Sequence, residues 1–334
     1  MQWGILGPGR ISRAFLAGLA GSATERAVAV GSRQLDRAEA VAEHFGVARA
    51  HGSYEQLLAD DAVEAVYVAT PNSAHAEWAI AATRAGKHVL CEKPLGVSRA
   101  EAESMVGAAQ EHGVRLMEAF MYRFHPRTLR LAELVAGGDI GTPTLVRSSF
   151  GFTVTDAANV RLSAALAGGA LMDVGCYPVN AARMVAGPVR AATATARWRD
   201  VDVTLAGVLD HAGGALSLIS CSLVSGRHNE LEVIGSDGVI ELPEAFTPAR
   251  DRPSTLLVTR GTDTEEQTFA PVDQYTAEAE GFAALVAAGP DDAAGLPQMP
   301  LAETLDNAAT IETLLAGAHP AGVTGSGNAP PPGV

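Results

Sequence analysis

The chain has 334 residues, with 24 Lys and Arg against 38 Asp and Glu for a formal charge of −14, and is 47% hydrophobic and 19% charged. This is the composition of an ordinary globular chain, long enough for two domains that each bury a core. The acidic excess repels phosphate backbones and anionic lipid, so nucleic acid is excluded as a main partner, and any bound anion needs a local basic or helix-terminal pocket.

Up to about residue 120, short apolar runs alternate with helical periodicity. Strands are expected at Trp3–Leu6, Ala27–Val30, Ala65–Ala69, His88–Cys91 and Arg115–Ala119. Helices are expected between them at Ile11–Leu19, Leu35–Phe45, Ser73–Arg84 and Ser98–His112, with Ser73 and Ser98 as N-caps and Gly46, Gly86 and Gly113 as stops. Strict β/α alternation implies parallel strands joined by crossover helices, a doubly wound α/β sheet. Beyond Met121 the texture changes to a helix near Arg127–Ala136, an extended run Thr144–Val154 and a helix Ala170–Val185. Strands then follow in close succession, Ala191–Arg199, Val201–Leu209, Ala215–Leu223, Asn229–Ile234 and Val239–Leu242, with glycine-rich turns at 210–214 and 235–238. Such hairpin spacing predicts a large, mostly antiparallel open sheet in an α+β second domain. Helices at Gln274–Ala288 and Leu301–Ala316 close the fold. The expected division is therefore 1–120, a dinucleotide-binding domain; 121–320, a domain for substrate and dimerisation; and 321–334, a disordered tail rich in Gly, Ser and Pro.

Cys91, Cys176 and Cys221 are odd in number and widely spaced, and read as buried reduced thiols of a cytoplasmic protein; no metal site is expected. The N-terminus lacks a basic region before its apolar run, and no stretch reaches about 18 uninterrupted apolar residues, so neither a signal peptide nor a membrane span is expected.

The first strand runs into Gly7-Pro8-Gly9-Arg10-Ile11-Ser12, a Gly-x-Gly-x-x-small pattern that opens a helix. There backbone can approach a pyrophosphate and the helix N-terminus favours its charge, with Ser12 replacing the third glycine by another small residue. After the second strand stands Gly31-Ser32-Arg33, a hydroxyl and a guanidinium with no carboxylate. Ser32 and Arg33 suit a 2′-phosphate, hence NADP; the alternative is NAD, with Arg33 solvated and Asp36 turned onto the ribose.

Glu92-Lys93-Pro94 ends the strand His88–Cys91, placing Lys93 over the carboxyl ends of parallel strands, where open α/β sheets bind ligands; a surface ion pair of Glu92 with Lys93 is the structural alternative. Together with Thr70-Pro71-Asn72 and His75 this motif resembles the glucose-fructose oxidoreductase/inositol dehydrogenase/MocA superfamily. Two further segments, from Met117 to Pro126 and from Gly168 to Pro178, are similar to the branch that holds dimeric dihydrodiol dehydrogenases and NADP-dependent xylose dehydrogenases. The resemblance implies NADP-linked hydride transfer at a secondary or hemiacetal hydroxyl of a sugar or cyclic diol. It assigns Gly7, Pro8, Gly9, Arg10, Ile11, Ser32, Arg33, Thr70, Pro71, Asn72, His75, Glu92, Lys93 and Pro94 to the cofactor side. Tyr177 becomes the general acid/base, Lys93 the cation that stabilises its phenolate in a shared proton relay, and Asp173, one turn before Tyr177, a substrate ligand or orienting group. Tyr122 and Arg123 are candidate substrate contacts, Arg123 alternatively pairing with Glu118, while His125 reads as a cap and Phe120 and Phe124 as core. Relatives also imply a homo-oligomer through the second domain's sheet and a cis peptide before Pro94. The competing readings are an NAD-dependent cyclitol dehydrogenase, which favours an acid after the second strand and His in place of Tyr177, and a non-catalytic NADP(H)-binding protein. Small apolar residues in 154–166 and no second basic cluster point to a modest, unphosphorylated ligand.

Overall fold

The computed structural model describes residues 1–289 and 298–320, so the tail expected to be disordered from Thr324 lies outside the described residues. The chain packs as two compact units, Met1–Phe124 with Asp273–Leu305, and His125–Val272 with Asp306 onward.

The first unit holds β1 (Gln2–Leu6), β2 (Arg26–Gly31), β3 (Arg49–His51), β4 (Ala65–Val68), β5 (His88–Glu92) and β6 (Leu116–Ala119). They form a parallel sheet in the order β3-β2-β1-β4-β5-β6. Its helices are α1 (Arg10–Gly21), α2 (Leu35–Phe45), α3 (Tyr54–Leu58), α4 (His75–Arg84) and α5 (Arg99–Glu111). β4 and β6 are buried along their whole length, as strands covered on both faces must be. The order reverses between β1 and β4, which defines the crevice at the carboxyl ends of the strands. β3 and α3 were not expected, because three residues carry too little periodicity to register. Ser98 caps α5 through Glu101 N as expected, but Ser73 does not cap α4: a 3-10 turn over Asn72–Ala74 precedes the helix.

α8 (Gln274–Ala287) packs on α1 in this first unit, although the sequence placed residues 121–320 in one domain. The contact needs a glycine: a Cβ at Gly18 would lie 2.8 Å from Cβ of Tyr275. Thr276 Oγ1 donates to Gly18 O at 2.7 Å, and the Phe282 ring meets Trp3 at 5.5 Å between centroids.

In the second unit α6 (Pro126–Ala136) and α7 (Cys176–Ala186) accompany a nine-stranded sheet. Its strands are β7 (Pro143–Thr153), β8 (Val189–Trp198), β9 (Asp202–His211), β10 (Leu216–Ser222), β11 (Val224–Gly235), β12 (Val239–Pro243), β13 (Ser254–Arg260), β14 (Asp263–Phe269) and β15 (Ala318–Pro320). Only β7 with β10 and β8 with β15 pair in parallel. β10 shows the alternation of a half-buried strand: Ser217, Ile219 and Cys221 are buried, whereas Leu216 and Leu218 are exposed. Buried Arg127 ties the β12–β13 connection, its guanidinium donating to the carbonyls of Pro243, Glu244, Ala245 and Thr255. His125 caps α6 by accepting from Arg127 N, as expected of it. The remaining helix, α9 (Leu301–Ala316), closes the described chain with β15.

Candidate active site

The first βα turn is built from backbone. Gly7 has φ +96°, and a Cβ there would lie 2.9 Å from Ala69 O, so the position is closed to other residues. Gly9 is the N-cap of α1 with an extended backbone and no side-chain cap, and a Cβ there would meet nothing within 4 Å. Buried Ser12 donates to Gly7 O at 2.5 Å, so the residue replacing the third glycine braces the turn. Uncapped helical N–H groups beside an open glycine face are what a pyrophosphate fits.

At the end of β2, Ser32 is buried and its Oγ accepts from Gln34 N. Arg33 is exposed and hydrogen-bonded to the Tyr54 hydroxyl, which also feels the charge of Arg37. Burial outweighs both guanidinium groups and raises the phenol. Asp36 is exposed in the first turn of α2, and the guanidinium groups of Arg33 and Arg37 gather near the Tyr54 hydroxyl, a chemistry that suits a phosphate.

Across the switch point, Thr70 Oγ1 is buried without a hydrogen-bond partner, a polar atom that a bound amide or ribose would satisfy. The Lys93-Pro94 peptide is cis. Three side chains hold this turn through its backbone. Glu92 Oε2 accepts from Lys93 N at 3.3 Å while the Tyr67 hydroxyl donates to Oε1. Glu118 Oε1 accepts from Leu95 N at 3.0 Å, and burial lifts its carboxyl to about 8 despite the charges of Arg123 and Lys93. His75 bridges Pro94 O (2.9 Å) and Thr70 O (3.0 Å), and burial lowers its pKa to about 4, so it is neutral and donates to one carbonyl at a time. The alternative of a surface Glu92–Lys93 pair fails, because Glu92 is buried. His75 and Glu92, expected on the cofactor side, shape the turn that carries Lys93. Arg123 pairs with Glu303 at 3.2 Å, and its charge also reaches the Glu118 carboxyl. Tyr122 is 1% exposed and packs edge-on against Phe120, offering no surface to a ligand.

In the second unit, the expected helix Ala170–Val185 begins as a π-helical turn, Leu171–Gly175, before α7. Asp173 lies in that turn and Tyr177 in the first turn of α7. The Tyr177 ring stands 5.4 Å from both Phe150 and Phe246, measured between centroids. Asp173 pairs with Arg161 Nε at 2.5 Å, and the same guanidinium lies over the Phe152 ring at 5.8 Å. Arg161 is itself fixed: Asn159 Oδ1 accepts from its N–H, and its carbonyl accepts from Gly169 N at 2.8 Å. The segment read for its small apolar side chains also supplies a cation. Arg161, Phe150 and Phe246 were not singled out from sequence, and Glu118 only as a partner for Arg123; the Gly168-Gly169 pair, where a Cβ at Gly168 would strike Arg161 O at 2.5 Å, signals the close approach.

Two family models match, an oxidoreductase family with an NAD-binding Rossmann fold over residues 1–120 and the GFO/IDH/MocA C-terminal domain over 128–241. The chain belongs to the GFO/IDH/MocA oxidoreductases. It is 42% identical over 295 residues to D-xylose 1-dehydrogenase (NADP(+)) 2 of Haloferax volcanii, covering 86% of this chain and 90% of that one. It is 35% identical to trans-1,2-dihydrobenzene-1,2-diol dehydrogenase of Mus musculus, covering 81% and 80%. A 3-ketoreductase from Actinomadura kijaniata, solved with NADP and TDP-benzene, superimposes with TM-score 0.88 at 31% identity over 96% of this chain and 98% of that one. The aldose-aldose oxidoreductase of Caulobacter crescentus, complexed with glycerol, gives 0.86 at 27% identity over 95% and 97%. The parallel sheet, the second mostly antiparallel sheet and the oxidoreductase family follow the expectation from sequence.

Proposed function

We propose that this GFO/IDH/MocA oxidoreductase is an NADP-linked dehydrogenase or reductase acting on a secondary or hemiacetal hydroxyl of a sugar or cyclic diol. The observation that carries this reading is Tyr177 packed against the stacked pair Phe150 and Phe246 with Asp173 one turn before it, anchored by Arg161. Among the relatives, the xylose and dihydrobenzenediol dehydrogenases are named for such substrates, and the ketoreductase was solved with NADP. When bound, the nicotinamide supplies or takes up the hydride. Everything else falls to the chain. Arg33 and Arg37 would hold a 2′-phosphate, and the turn at Gly7 and Gly9 with the start of α1 would hold the pyrophosphate.

In oxidation the substrate O–H loses its proton as the hydride leaves carbon, and Tyr177 is the acceptor. A phenol of ordinary pKa about 10 needs a nearby cation to act near neutral pH, and Lys93 is assigned that role. Asp173 accepts from a neighbouring substrate hydroxyl, while Arg161 fixes the carboxylate and presents its remaining N–H groups to a second oxygen. The experiment is reduction of NADP and NAD followed at 340 nm over pentoses, hexoses, inositols and cyclic diols, with Tyr177→Phe as control. Turnover with NADP that Tyr177→Phe loses supports the reading; equal turnover in the variant overturns the acid/base assignment, and a higher kcat/KM with NAD overturns the cofactor assignment.

The open face of the nine-stranded sheet is proposed as the surface for a second copy. Val208 pairs with Leu218 across β9 and β10, and both, with Leu216, are 38–45% exposed on one face. Sedimentation of Leu218→Arg checks it: the oligomer is expected to dissociate, and an unchanged sedimentation coefficient rejects this face.

A further inference from the structure

The helix that carries Asp173 and Tyr177 starts inside the second unit, where its first amides have no solvent to turn to. Ala170, Leu171 and Gly175 are all buried. A helix start leaves its first N–H groups without intrahelical partners, and in a buried place each must be met by protein. Asp173, which an acid near a glycine-rich helix start would suggest as the cap, points instead to Arg161. The amides are met from another strand. Asp202, the first residue of β9 and 2% exposed, accepts from Leu171 N through Oδ2 at 2.7 Å and also receives Ala170 N–H.

The fit is close on every side. A Cβ at Gly169, whose φ is +122°, would lie 2.2 Å from Asp202 Oδ1, so only glycine lets the carboxylate reach the helix. At the far end of the π-helical turn, a Cβ at Gly175 would lie 2.7 Å from Cys221 Sγ of β10. The turn is therefore bonded at its start to a carboxylate and packed at its end closely on a thiol, over the five residues that contain Asp173 and lead into Tyr177. A π-helical turn departs from regular helical hydrogen bonding, and such turns recur at functional sites; this one needs an external holder.

We infer that Asp202 is a positioning residue of the reaction: it sets the start of the helix that carries Asp173 and Tyr177, and through it the placement of both. This rests on the function proposed above. An acid is an expensive choice for so buried a place, since desolvation raises its carboxyl to about 7 against the amides that lower it. Cys221 and Cys176 are the titratable groups of the neighbouring strand and helix, and the Cys221 thiol is raised by burial and by the charge of Asp202. A neutral cap of similar size would serve stability alone. The gain from a carboxylate is that neither oxygen is a donor, so it can hold the two adjacent amides of Ala170 and Leu171 in one orientation, and a displacement of about 1 Å at a reacting group costs on the order of 100-fold in rate.

The test compares wild type with Asp202→Asn, which keeps the shape but turns one acceptor into a donor, and Asp202→Ser, which keeps a capping oxygen without a carboxylate. The expected result is a fall in kcat of about 10-fold or more for both, corrected for folded fraction, with the NADP KM within 2-fold of wild type. Hydrogen exchange is measured in parallel, because it reads the helix start whether or not the substrate class is right. Amides 170–173 should exchange about 10-fold faster in the variants while those of 180–186 are unchanged. Unchanged protection at 170–173 overturns the inference. So does kcat within 2-fold of wild type, or an equal loss of kcat and NADP affinity. Altered exchange in an enzyme that turns over no sugar or diol would leave the brace standing and overturn the substrate class.

Discussion

The two halves of the machinery are built in opposite ways. On the first unit, the surface proposed for the cofactor is largely backbone: Gly7 in a left-handed conformation, Gly9 open to space, and a cis-proline turn held from behind by His75, Glu92 and Glu118. On the second unit it is side chains, Asp173 and Tyr177 on a helix start whose position is borrowed from a distant strand, with Arg161 reaching Asp173 from a separate turn. The difference teaches where each can vary. A surface of peptide groups recognises what every NADP molecule shares, whereas a surface of side chains can be rewritten for each substrate while its braces stay.

Substitutions can break or sharpen this contrast. The largest effect is expected for Lys93→Ala and Tyr177→Phe, each losing about 10²–10⁴-fold in kcat, with a double variant no worse than the poorer single if the two form one relay; independent, multiplying losses in steady-state kinetics would reject it. Next, Arg33→Ala should raise the KM for NADP about 10- to 100-fold and leave that for NAD unchanged. An equal change for both cofactors would show Arg33 to be merely a surface charge.

A third pair separates glycine from glycine. Gly7→Ala should destabilise by about 1–2 kcal/mol or more, because its φ of +96° and the Ala69 carbonyl leave no room for Cβ. Gly9→Ala, with φ −75° and open space around Cβ, should hold its melting temperature and lose cofactor affinity. A drop in both properties for Gly9→Ala would mean that the turn is not shaped for a ligand.

The most gradual effect is in pH. Asp202 titrates at about 7 when folded, above about 3.9 when unfolded, so its contribution to stability is present at low pH and is lost as pH rises from about 4 through 7. Against Asp202→Asn, wild type should therefore lose ground over that window at up to about 1.4 kcal/mol per pH unit and level off above pH 8. Denaturant unfolding at stepped pH reads this directly, and a flat difference would show that the carboxyl does not change ionisation there.

What could be read in advance follows the same division. The glycine turn, the strand alternation and the Lys93 turn are contiguous in the chain, so their meaning survives without coordinates. Asp173 and Tyr177 are four apart and were legible as a pair, but Arg161 is twelve residues from Asp173 and Asp202 thirty-one from Leu171. No local period encodes such meetings. β13 and β14 were missed for another reason: β14 reads Asp263-Thr264-Glu265-Glu266-Gln267 on an exposed edge, where charge hides the alternation. Ser73 failed as a cap because Pro71 and Asn72 had already started a tighter turn.

The return of α8 to α1 carries a consequence for the order of synthesis. The first 124 residues emerge from the ribosome with the Gly18 groove and the edge of Trp3 bare, since Tyr275, Thr276 and Phe282 have not yet been made. His125–Val272, with its long strands, is translated before that groove can close. A nascent chain of this protein thus holds an apolar groove open while most of a second body is being built, the kind of transient exposure that invites aggregation.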